Sequence, residues 1–398
     1  MVTRSGRLVG MAAMLVVAVG GVVSVSDGQD AATGSELQGV VDGLTRQDGF
    51  PAALATVSET AGPDGTARYR TVRSGVGDLD TGAPVPYDGR VRMGSSTKTL
   101  VATVVLQLVD RGRIALDAPV ERYLPGLVRG NGNDGRRIRI RHLLQHTSGL
   151  PDYADHLPFT PENLDARFQR FSSTQLLDLA LAHPPTFQPG ETGRWAYTNT
   201  GYELLGMVIE KVTGHSWQHE VTERVIKPLA LDTMYLPRTG EHELRGPHPR
   251  SYLTVPGPAG PRPADVTEFE PSVFGAAGML VSTPRDYNRF LTALLDGDLL
   301  SPEILAEMKR TDPATRMWPG AEYGLGLIRT PLSCGGYVYG HSGDVPGYST
   351  RSGVAVDAAG HPGRSGTVVV TRASDTVAQG LDLVEAVDTA LCDRAPVE

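Results

Sequence analysis

The order of strand-like and helix-like segments is the feature that most constrains how this chain folds. Short runs bounded by Gly, Pro and Asp occur near both ends of the chain, and helical patterns with Gly- and Pro-rich loops lie between them. These runs predict strands at residues 53–57, 69–76, 279–282, 324–329, 337–339, 352–356 and 367–371. A closing amphipathic helix is predicted over residues 377–391. We therefore predict an α/β lobe made from residues 35–95 and 275–395, with a mainly helical lobe inserted at residues 96–274.

The N-terminus has the composition of an export signal. Two arginines precede an almost wholly apolar run over residues 8–23, and small residues at 24–26 offer a cleavage site. We predict a signal peptide at residues 1–26 and a flexible segment at residues 27–34. The protein would then be secreted or extracytoplasmic, with no stable membrane span after cleavage. An uncleaved membrane anchor is the alternative, because the apolar run approaches the shortest length that spans a bilayer.

The net charge and the two cysteines limit the possible binding partners and the covalent structure of the chain. The formal net charge is -8, with no long run of one sign, so there is no electrostatic footprint for nucleic acid. The chain has only two cysteines, Cys334 and Cys392. In an exported protein the default is one disulfide, which would tie the C-terminal helix to the sheet. Two separate reduced thiols are the alternative. We expect a monomer.

Ser95 and Lys98 stand at the start of a long apolar helix, which the pattern predicts over residues 96–110. Residues three apart share one face of a helix, so these two side chains can meet. A serine hydroxyl is a weak nucleophile until a base takes its proton. Lys98 can be that base only if burial or nearby cations lower its pKa. Taken alone, the pair equally fits a capped helix with an exposed lysine.

Tyr197 and Asn199 form a second motif with possible chemistry. A phenol at position 197 can relay protons between a nucleophile and a leaving group. The amide of Asn199 can orient Lys98 or hold a substrate amide. Taken alone, a tyrosine near a Gly-rich loop is more often a packing residue.

A third motif, His341-Ser342-Gly343, follows the strand predicted at residues 337–339. A strand edge presents backbone groups to an extended substrate, and a small residue beside a glycine lets that substrate lie close. His341 can add positive charge to the site or hold Tyr197. A turn histidine on the surface is the alternative.

Taken together, these motifs and the sequence around them resemble the serine β-lactamase and D-alanyl-D-alanine carboxypeptidase superfamily. The likeness is closest to its class C β-lactamase-like branch and to the soluble DD-carboxypeptidases, and it covers residue 36 to the C-terminus. It rests on residues 93–98, 112–120, 123–125, 140–151, 187–190, 197–202, 277–279, 323–327 and 340–343. The resemblance implies an antiparallel sheet flanked by N- and C-terminal helices, with the helical lobe inserted.

The resemblance also implies a role for each motif residue. Ser95 would be the acylated nucleophile, and Lys98 and Tyr197 would jointly handle its proton. Backbone N–H groups of Ser95 and Asp344 would form the oxyanion hole. The residues expected to bind substrate are Asn199, His341, Ser342, Gly343 and Asp344.

Two differences from the soluble DD-carboxypeptidases argue against a substrate that ends in a carboxylate. In the soluble carboxypeptidases an arginine directly after the Gly-Leu-Gly-Leu stretch binds that carboxylate, whereas here Ile328 follows and Arg329 comes one residue late. A slip of one residue in a strand turns a side chain to the opposite face. Asp344 replaces a threonine, and its charge would repel a carboxylate. An esterase, or an aminopeptidase that accepts a cationic amine, fits Asp344 better.

We therefore predict an exported serine acyl-hydrolase that acts on D-alanyl peptides, β-lactams or related amides and esters through an acyl-enzyme on Ser95. Its partner would be a small-molecule or peptide substrate. The alternatives are a class C-like β-lactamase, an esterase or D-aminopeptidase, and a slowly acylated penicillin-binding sensor. We expect no cofactor and no metal, because His142 and His146 lack the neighbouring Glu of the metalloprotease pattern.

Overall fold

Strands from the two ends of the chain pair with each other in one eight-stranded antiparallel sheet. The computed structural model describes residues 34–59, 67–314 and 316–392. The predicted signal peptide and nearly all of the predicted flexible segment lie outside these residues. The strands are β1 (Ala52–Glu59), β2 (Arg68–Gly75), β3 (Val91–Arg92), β4 (Arg129–Gly130), β5 (Asn133–Asp134), β6 (Tyr252–Val255), β7 (Arg262–Asp265), β8 (Val281–Ser282), β9 (Asp312–Pro313), β10 (Glu322–Tyr323), β11 (Ile328–Pro331), β12 (Tyr337–Val345), β13 (Tyr348–Val356) and β14 (Pro362–Val370).

The main sheet has the order β2-β1-β14-β13-β12-β11-β10-β9. The first long strand therefore pairs with the last, and the register places Ala53 opposite Val370. Three two-stranded pairs, β3-β8, β4-β5 and β6-β7, lie outside this sheet.

Helices cover both faces of the sheet. They are α1 (Gly34–Arg46), α2 (Thr97–Asp110), α3 (Ile140–Leu144), α4 (Ser173–Leu181), α5 (Asn199–Thr213), α6 (Trp217–Val221), α7 (Gly275–Gly278), α8 (Pro284–Asp296), α9 (Pro302–Met308) and α10 (Val377–Cys392). Short 3-10 turns occur at Gly94–Ser96, Val120–Arg122, Tyr153–His156, Leu164–Phe168 and Pro271–Val273, and a π-helical turn at Thr222–Ile226. One face of the sheet packs against α1 and α10, and the other packs against α8.

The α2 helix is the buried centre of the helical part of the chain. Its residues are apolar or small around most of the circumference, which is the pattern of a helix enclosed by protein. Leu100, Val101 and Val104 are fully buried. The helix packs against α5, α6, α7 and α9. This enclosure fixes the position of the turn that precedes α2.

The α5 helix has clear start and stop signals. Thr198 is extended and precedes the first helical residue, Asn199. Gly214 ends the helix with a left-handed φ of 82°, which glycine adopts without steric cost. The helix thus begins at the second sequence motif.

The strand predictions differ from the structure in three ways. The strand predicted at residues 324–329 is a hairpin of β10 and β11, because Gly326 turns the chain with a φ of 87°. The one predicted at residues 279–282 shrinks to β8, which pairs with β3 outside the main sheet. The β12, β13 and β14 strands are longer than predicted, because their Gly and Ser residues hide the strand pattern.

Cys334, which follows β11, is joined by a disulfide to Cys392 at the end of α10.

Among the described residues, no helix combines the length and the apolarity that crossing a bilayer requires. The described residues all belong to one compact unit. The predicted fold class, an antiparallel sheet with flanking helices, is confirmed. The boundaries between the two predicted lobes stay a prediction.

Candidate active site

Ser95 lies in the 3-10 turn that leads directly into α2. Gly94 before it has a φ of 53°, and a Cβ there would lie 3.0 Å from the backbone nitrogen of Asp344. The turn is therefore packed tightly against β12. Ser95 faces a cavity of about 330 Å³. Aromatic side chains that line this cavity are Tyr153, Phe159, Phe269 and Phe274.

Lys98 is fully buried, and its amine contacts three oxygens. Its Nζ lies 3.0 Å from Ser95 Oγ, 2.7 Å from Asn199 Oδ1 and 2.9 Å from the carbonyl oxygen of Ala277. Burial lowers the pKa of Lys98 to about 7, although the carboxylate of Asp152 opposes this shift. A substantial fraction of Lys98 is therefore neutral near pH 7.

The neutral form of the Lys98 amine can keep all three contacts. Such an amine has two N–H donors and one lone pair. Asn199 Oδ1 and the carbonyl of Ala277 can only accept, so they use both donors. The lone pair is then left for the hydroxyl of Ser95, 3.0 Å away. This arrangement prepares Lys98 to take the serine proton.

The phenol of Tyr197 is the second group beside the nucleophile. Its hydroxyl is hydrogen-bonded to Ser95, and its ring centre lies 4.8 Å from Lys98 Nζ. Burial raises the pKa of Tyr197 well above its ordinary value, although the hydrogen bond to Ser95 lowers it. The phenol therefore stays protonated at neutral pH, which suits a proton donor better than a base.

Asn199 is held between Lys98 and Asp152. Its Oδ1 accepts from Lys98, and its Nδ2 donates to Asp152 Oδ2 at 2.9 Å. Burial raises the pKa of Asp152. Both ends of the Asn199 amide are bonded within the protein, which favours orientation of Lys98 over direct capture of substrate.

The end of β12 forms a free strand edge beside Ser95. The neighbouring β11 pairs with β12 only as far as Gly340, so the segment 341–345 has no β11 partner on that side. A Cβ on Gly343 would lie 1.9 Å from the carbonyl oxygen of Met93. Only glycine lets the strand come this close to the turn that carries the nucleophile. Ser342 and Asp344 line the same cavity as Ser95.

Asp344 is paired with Arg351 of β13. The Nη1 of Arg351 lies 3.1 and 3.2 Å from the two carboxylate oxygens. The Asp344 side chain is 51% exposed, whereas that of Arg351 is 11% exposed. The negative charge that we expected to repel carboxylates is thus partly balanced by a guanidinium. Arg329, by contrast, pairs with Glu322 and lies over the ring of Tyr337.

His341 neither adds positive charge to the site nor holds Tyr197, as the sequence had suggested it could. Its Nε2 lies 2.8 Å from the hydroxyl of Tyr323, and its Nδ1 lies 2.5 Å from the carbonyl oxygen of Ser342. Burial lowers the pKa of His341 to about 3, helped by the charge of Lys98. The ring is therefore neutral, and it adds no positive charge. It bonds Tyr323 rather than Tyr197.

Sequence reasoning missed Asp152 and Arg351, and it considered His146 only as a possible metal ligand. His146 has a left-handed φ of 61°, and its Nδ1 accepts the backbone N–H of Thr198 at 3.2 Å. Its ring centre lies 4.2 Å from that of Tyr197. Burial lowers the pKa of His146 well below its usual range, so a neutral ring fixes the Tyr197 segment. The sequence signal that singles out this histidine is its place in the stretch 140–151, which carries the family resemblance.

The histidines weighed as possible metal ligands have other contacts. His142 Nδ1 accepts the backbone N–H of Arg139, and His146 accepts that of Thr198. A separate group of potential ligands lies at α6, formed by His215, His219 and Glu220. The carboxylate of Glu220 is already bonded to Arg224 and His215.

Comparison with known proteins agrees with this geometry. The sequence profile of the Beta-lactamase family matches residues 18–388. The chain belongs to the Beta-lactamase family. Esterase EstB of Burkholderia gladioli, a curated relative, is 32% identical to it, over 78% of this chain and 87% of the esterase.

Two solved structures share the fold of this Beta-lactamase family member. A D-stereospecific amidohydrolase from Streptomyces sp. has a TM-score of 0.77 at 37% identity, covering 88% of this chain and 97% of its own. D-amino acid amidase from Ochrobactrum anthropi SV3 has a TM-score of 0.76 at 26% identity, covering 91% of this chain and 98% of its own. The protein is therefore an enzyme, a serine hydrolase of the β-lactamase and penicillin-binding-protein superfamily, as the motifs predicted.

Proposed function

We propose that this enzyme hydrolyses amides and esters of D-amino acids with apolar side chains, by acyl transfer to Ser95. The observation that carries the proposal is the buried amine of Lys98, which lies 3.0 Å from Ser95 Oγ with both of its N–H donors occupied. An amine whose pKa is about 7 is a base matched to neutral pH.

Acylation starts when Ser95 Oγ attacks the carbonyl carbon of the substrate and its proton passes to Lys98 Nζ. The carbonyl oxygen becomes an oxyanion, which the backbone N–H groups of Ser95 and Asp344 stabilise. Collapse of this intermediate breaks the bond to the leaving nitrogen or oxygen. Tyr197 gives its proton to that leaving atom, and Lys98 returns the serine proton to Tyr197. An amine or alcohol departs and an ester on Ser95 remains.

Deacylation repeats these steps with water as the nucleophile. Water attacks the acyl-enzyme carbonyl and transfers one proton to the Tyr197 and Lys98 pair. Collapse then breaks the ester bond, and Ser95 Oγ takes a proton back. The products are the free acid and the original enzyme, so no co-reactant besides water is needed.

The walls of the cavity support the substrate class. Tyr153, Phe159, Phe269 and Phe274 give the space next to Ser95 an aromatic surface, which favours an apolar acyl side chain. The half-exposed carboxylate of Asp344 on the same cavity favours a cationic amino group. The D configuration and the amide bond are proposed from the D-stereospecific amidohydrolase and the D-amino acid amidase, and the ester bond from the esterase.

We also propose that the enzyme works outside the cytoplasm. The disulfide between Cys334 and Cys392 supports this, because such bonds persist in oxidising compartments. The predicted signal peptide lies outside the described residues. The monomeric state stays a prediction.

A fluorescent fluorophosphonate should label the purified enzyme, and Ser95→Ala should abolish both labelling and hydrolysis of D-phenylalanine amide. Ser96→Ala is the matched control: Ser96 is the neighbouring serine, and it is fully buried and does not line the cavity that holds Ser95. The Ser96→Ala variant should keep both the labelling and the hydrolysis of D-phenylalanine amide. A panel of D-phenylalanine amide, its L enantiomer, a D-Ala-D-Ala peptide, a p-nitrophenyl ester and a chromogenic cephalosporin then ranks the substrates. Full labelling of Ser95→Ala would refute the assignment of Ser95 as the nucleophile. Steady turnover of D-phenylalanine amide by the wild type would exclude a slowly acylated sensor.

A further inference from the structure

The corner between α5 and α6 contains three side chains that can bind a metal ion together. They are His215, His219 and Glu220, and one ligand atom of each lies within 4.8 Å of the other two. Among the residues that the structure describes, no other three His, Cys, Asp or Glu side chains converge in this way. The side chain of His215 is 61% exposed and His219 is exposed, whereas the side chain of Glu220 is only 6% exposed. A cation from solvent can therefore reach both imidazoles and a buried carboxylate.

The backbone of this corner is held in place by the protein. The N–H of His215 donates to Thr213 Oγ1 at 3.2 Å, and the N–H of His219 donates to Ser216 Oγ at 3.2 Å. Trp217, between the two histidines, is 4% exposed and packs into the main hydrophobic core. The two imidazole ring centres lie 4.8 Å apart. The backbone therefore needs no rearrangement for these rings to share a ligand.

Glu220 has the hydrogen bonds of a metal-binding carboxylate. Its Oε2 accepts a hydrogen bond from Nε of Arg224, and its Oε1 lies 2.9 Å from His215 Nδ1. In metal sites, the carboxylate ligands are themselves oriented by outer hydrogen-bond partners of this kind. Arg224 can stay on Oε2 while Oε1 binds a metal. The short distance from Oε1 to His215 shows that two of the ligand atoms already point to one place.

We propose that His215, His219 and Glu220 bind a zinc ion, with water in the fourth position. Zinc accepts imidazole nitrogens and carboxylate oxygens at about 2.0–2.2 Å in tetrahedral geometry, which puts neighbouring ligand atoms about 3.3 Å apart. The exposed rings then need to close in by at most about 1.5 Å. Calcium and magnesium fit less well, because they prefer oxygen ligands.

The proposed zinc ion would stabilise the corner without entering the acyl-transfer reaction. It would join His215, which follows α5, to two residues of α6, a helix that packs against α2 and α5. A ligand that binds only the folded state stabilises that state. Asn199 of the candidate active site is at the opposite end of α5, whose 15 residues span about 22 Å. The zinc site therefore does not depend on the proposed function.

Calorimetric titration of the untagged enzyme with zinc chloride tests the site. We expect one zinc ion per chain, and saturating zinc should raise the Tm of the wild type by about 2–4 °C. His219→Ala should weaken zinc binding by about 10- to 100-fold or more, since losing an outer partner alone has an effect of that size. It should also remove the shift in Tm. Calcium chloride should neither bind nor raise the Tm, and zinc should leave kcat/KM for a p-nitrophenyl ester unchanged.

His361→Ala is the matched control for the loss of an exposed histidine. His361 Nδ1 lies 3.2 Å from Asp357 Oδ2, but no third ligand completes a group there among the described residues. This variant should keep the zinc affinity and the Tm shift of the wild type. His215→Ala removes the other imidazole and should match His219→Ala. Absence of zinc binding by the wild type, or zinc binding of unchanged strength in either His215→Ala or His219→Ala, would overturn the site.

Discussion

The reactivity of Ser95 depends on what burial does to the amine beside it. In water, a lysine amine is protonated at neutral pH and cannot accept a proton. Here the protein removes water from Lys98 and supplies two acceptors, Asn199 Oδ1 and the carbonyl of Ala277. Asp152 accepts a hydrogen bond from the amide nitrogen of Asn199 and so fixes the orientation of that amide. The chemistry of the Ser95 hydroxyl is therefore set by the residues that enclose and orient the amine of Lys98.

The pH dependence of the reaction follows from the pKa of Lys98, which burial lowers to about 7. The neutral form is the active one, so kcat/KM for a p-nitrophenyl ester should rise about tenfold per pH unit below pH 6 and level off above pH 8. This ester has no ionisable group of its own. The low pKa values of His146 and His341 keep these rings neutral throughout that range.

Lys98→Arg is the control for this profile, because a guanidinium stays charged at every accessible pH. It should be inactive from pH 5 to pH 9. A wild-type profile that is flat over this range would show that another group is the base.

Single residues also show how far sequence reasoning reaches. Ser95 and Lys98 could be paired because a helix puts residues three apart on one face. The contact of Asn199 with Asp152 could not be predicted, since no local pattern links positions that come together only by folding. Arg351 was missed for the same reason. Its relation to Ser342 depends on the register between two strands, which periodicity does not give.

At the scale of the elements, the essential contact joins the free end of β12 to the turn before α2. Glycine on both sides, at positions 94 and 343, lets the two backbones touch. The N–H groups of Ser95 and Asp344 depend on this contact for their alignment. The α2 helix was predicted to within one residue of its observed start, because its apolar run is longer than a strand. The Gly- and Ser-rich strand was predicted too short, because small residues carry little strand signal.

Gly343→Ala should lower kcat by about 10²- to 10³-fold, the usual cost of losing one oxyanion-hole donor. The added methyl would lie 1.9 Å from the carbonyl oxygen of Met93, so β12 must move away from the turn. Steady-state kinetics with D-phenylalanine amide measures the change, and thermal melting checks the fold. Gly363→Ala is the control, because its nearest heavy atom, the carbonyl oxygen of Ala355, is 3.5 Å away. Equal activity of Gly343→Ala and Gly363→Ala would show that the close contact of Gly343 with the turn does not align the oxyanion hole.

At the scale of the whole molecule, two connections tie the end of the chain to the sheet. One is the pairing of β14 with β1, and the other is the disulfide between Cys334 and Cys392. Neither cysteine lines the cavity that holds Ser95. The disulfide thus stabilises the position of α10 without taking part in the chemistry.

Replacing both Cys334 and Cys392 by Ala should lower the free energy of unfolding by about 2–4 kcal/mol, because the cross-link no longer restricts the unfolded chain. Urea unfolding of the oxidised wild type and the double variant measures this difference. Hydrolysis of a p-nitrophenyl ester should be unchanged. A reducing agent should destabilise the wild type by the same amount and leave the variant unaffected. Identical unfolding midpoints before reduction would contradict the role given to the bond.

The pairing of β1 with β14 also determines when this protein can fold. Strand β1 can pair at once with β2, which follows it in the chain, but its other partner, β14, is available only after almost all of the polypeptide has been synthesised. A nascent or truncated chain therefore has an incomplete sheet, and contacts between such distant segments form slowly. Premature termination between β13 and β14 should leave a product without activity, even though every side chain of the reaction centre is already present.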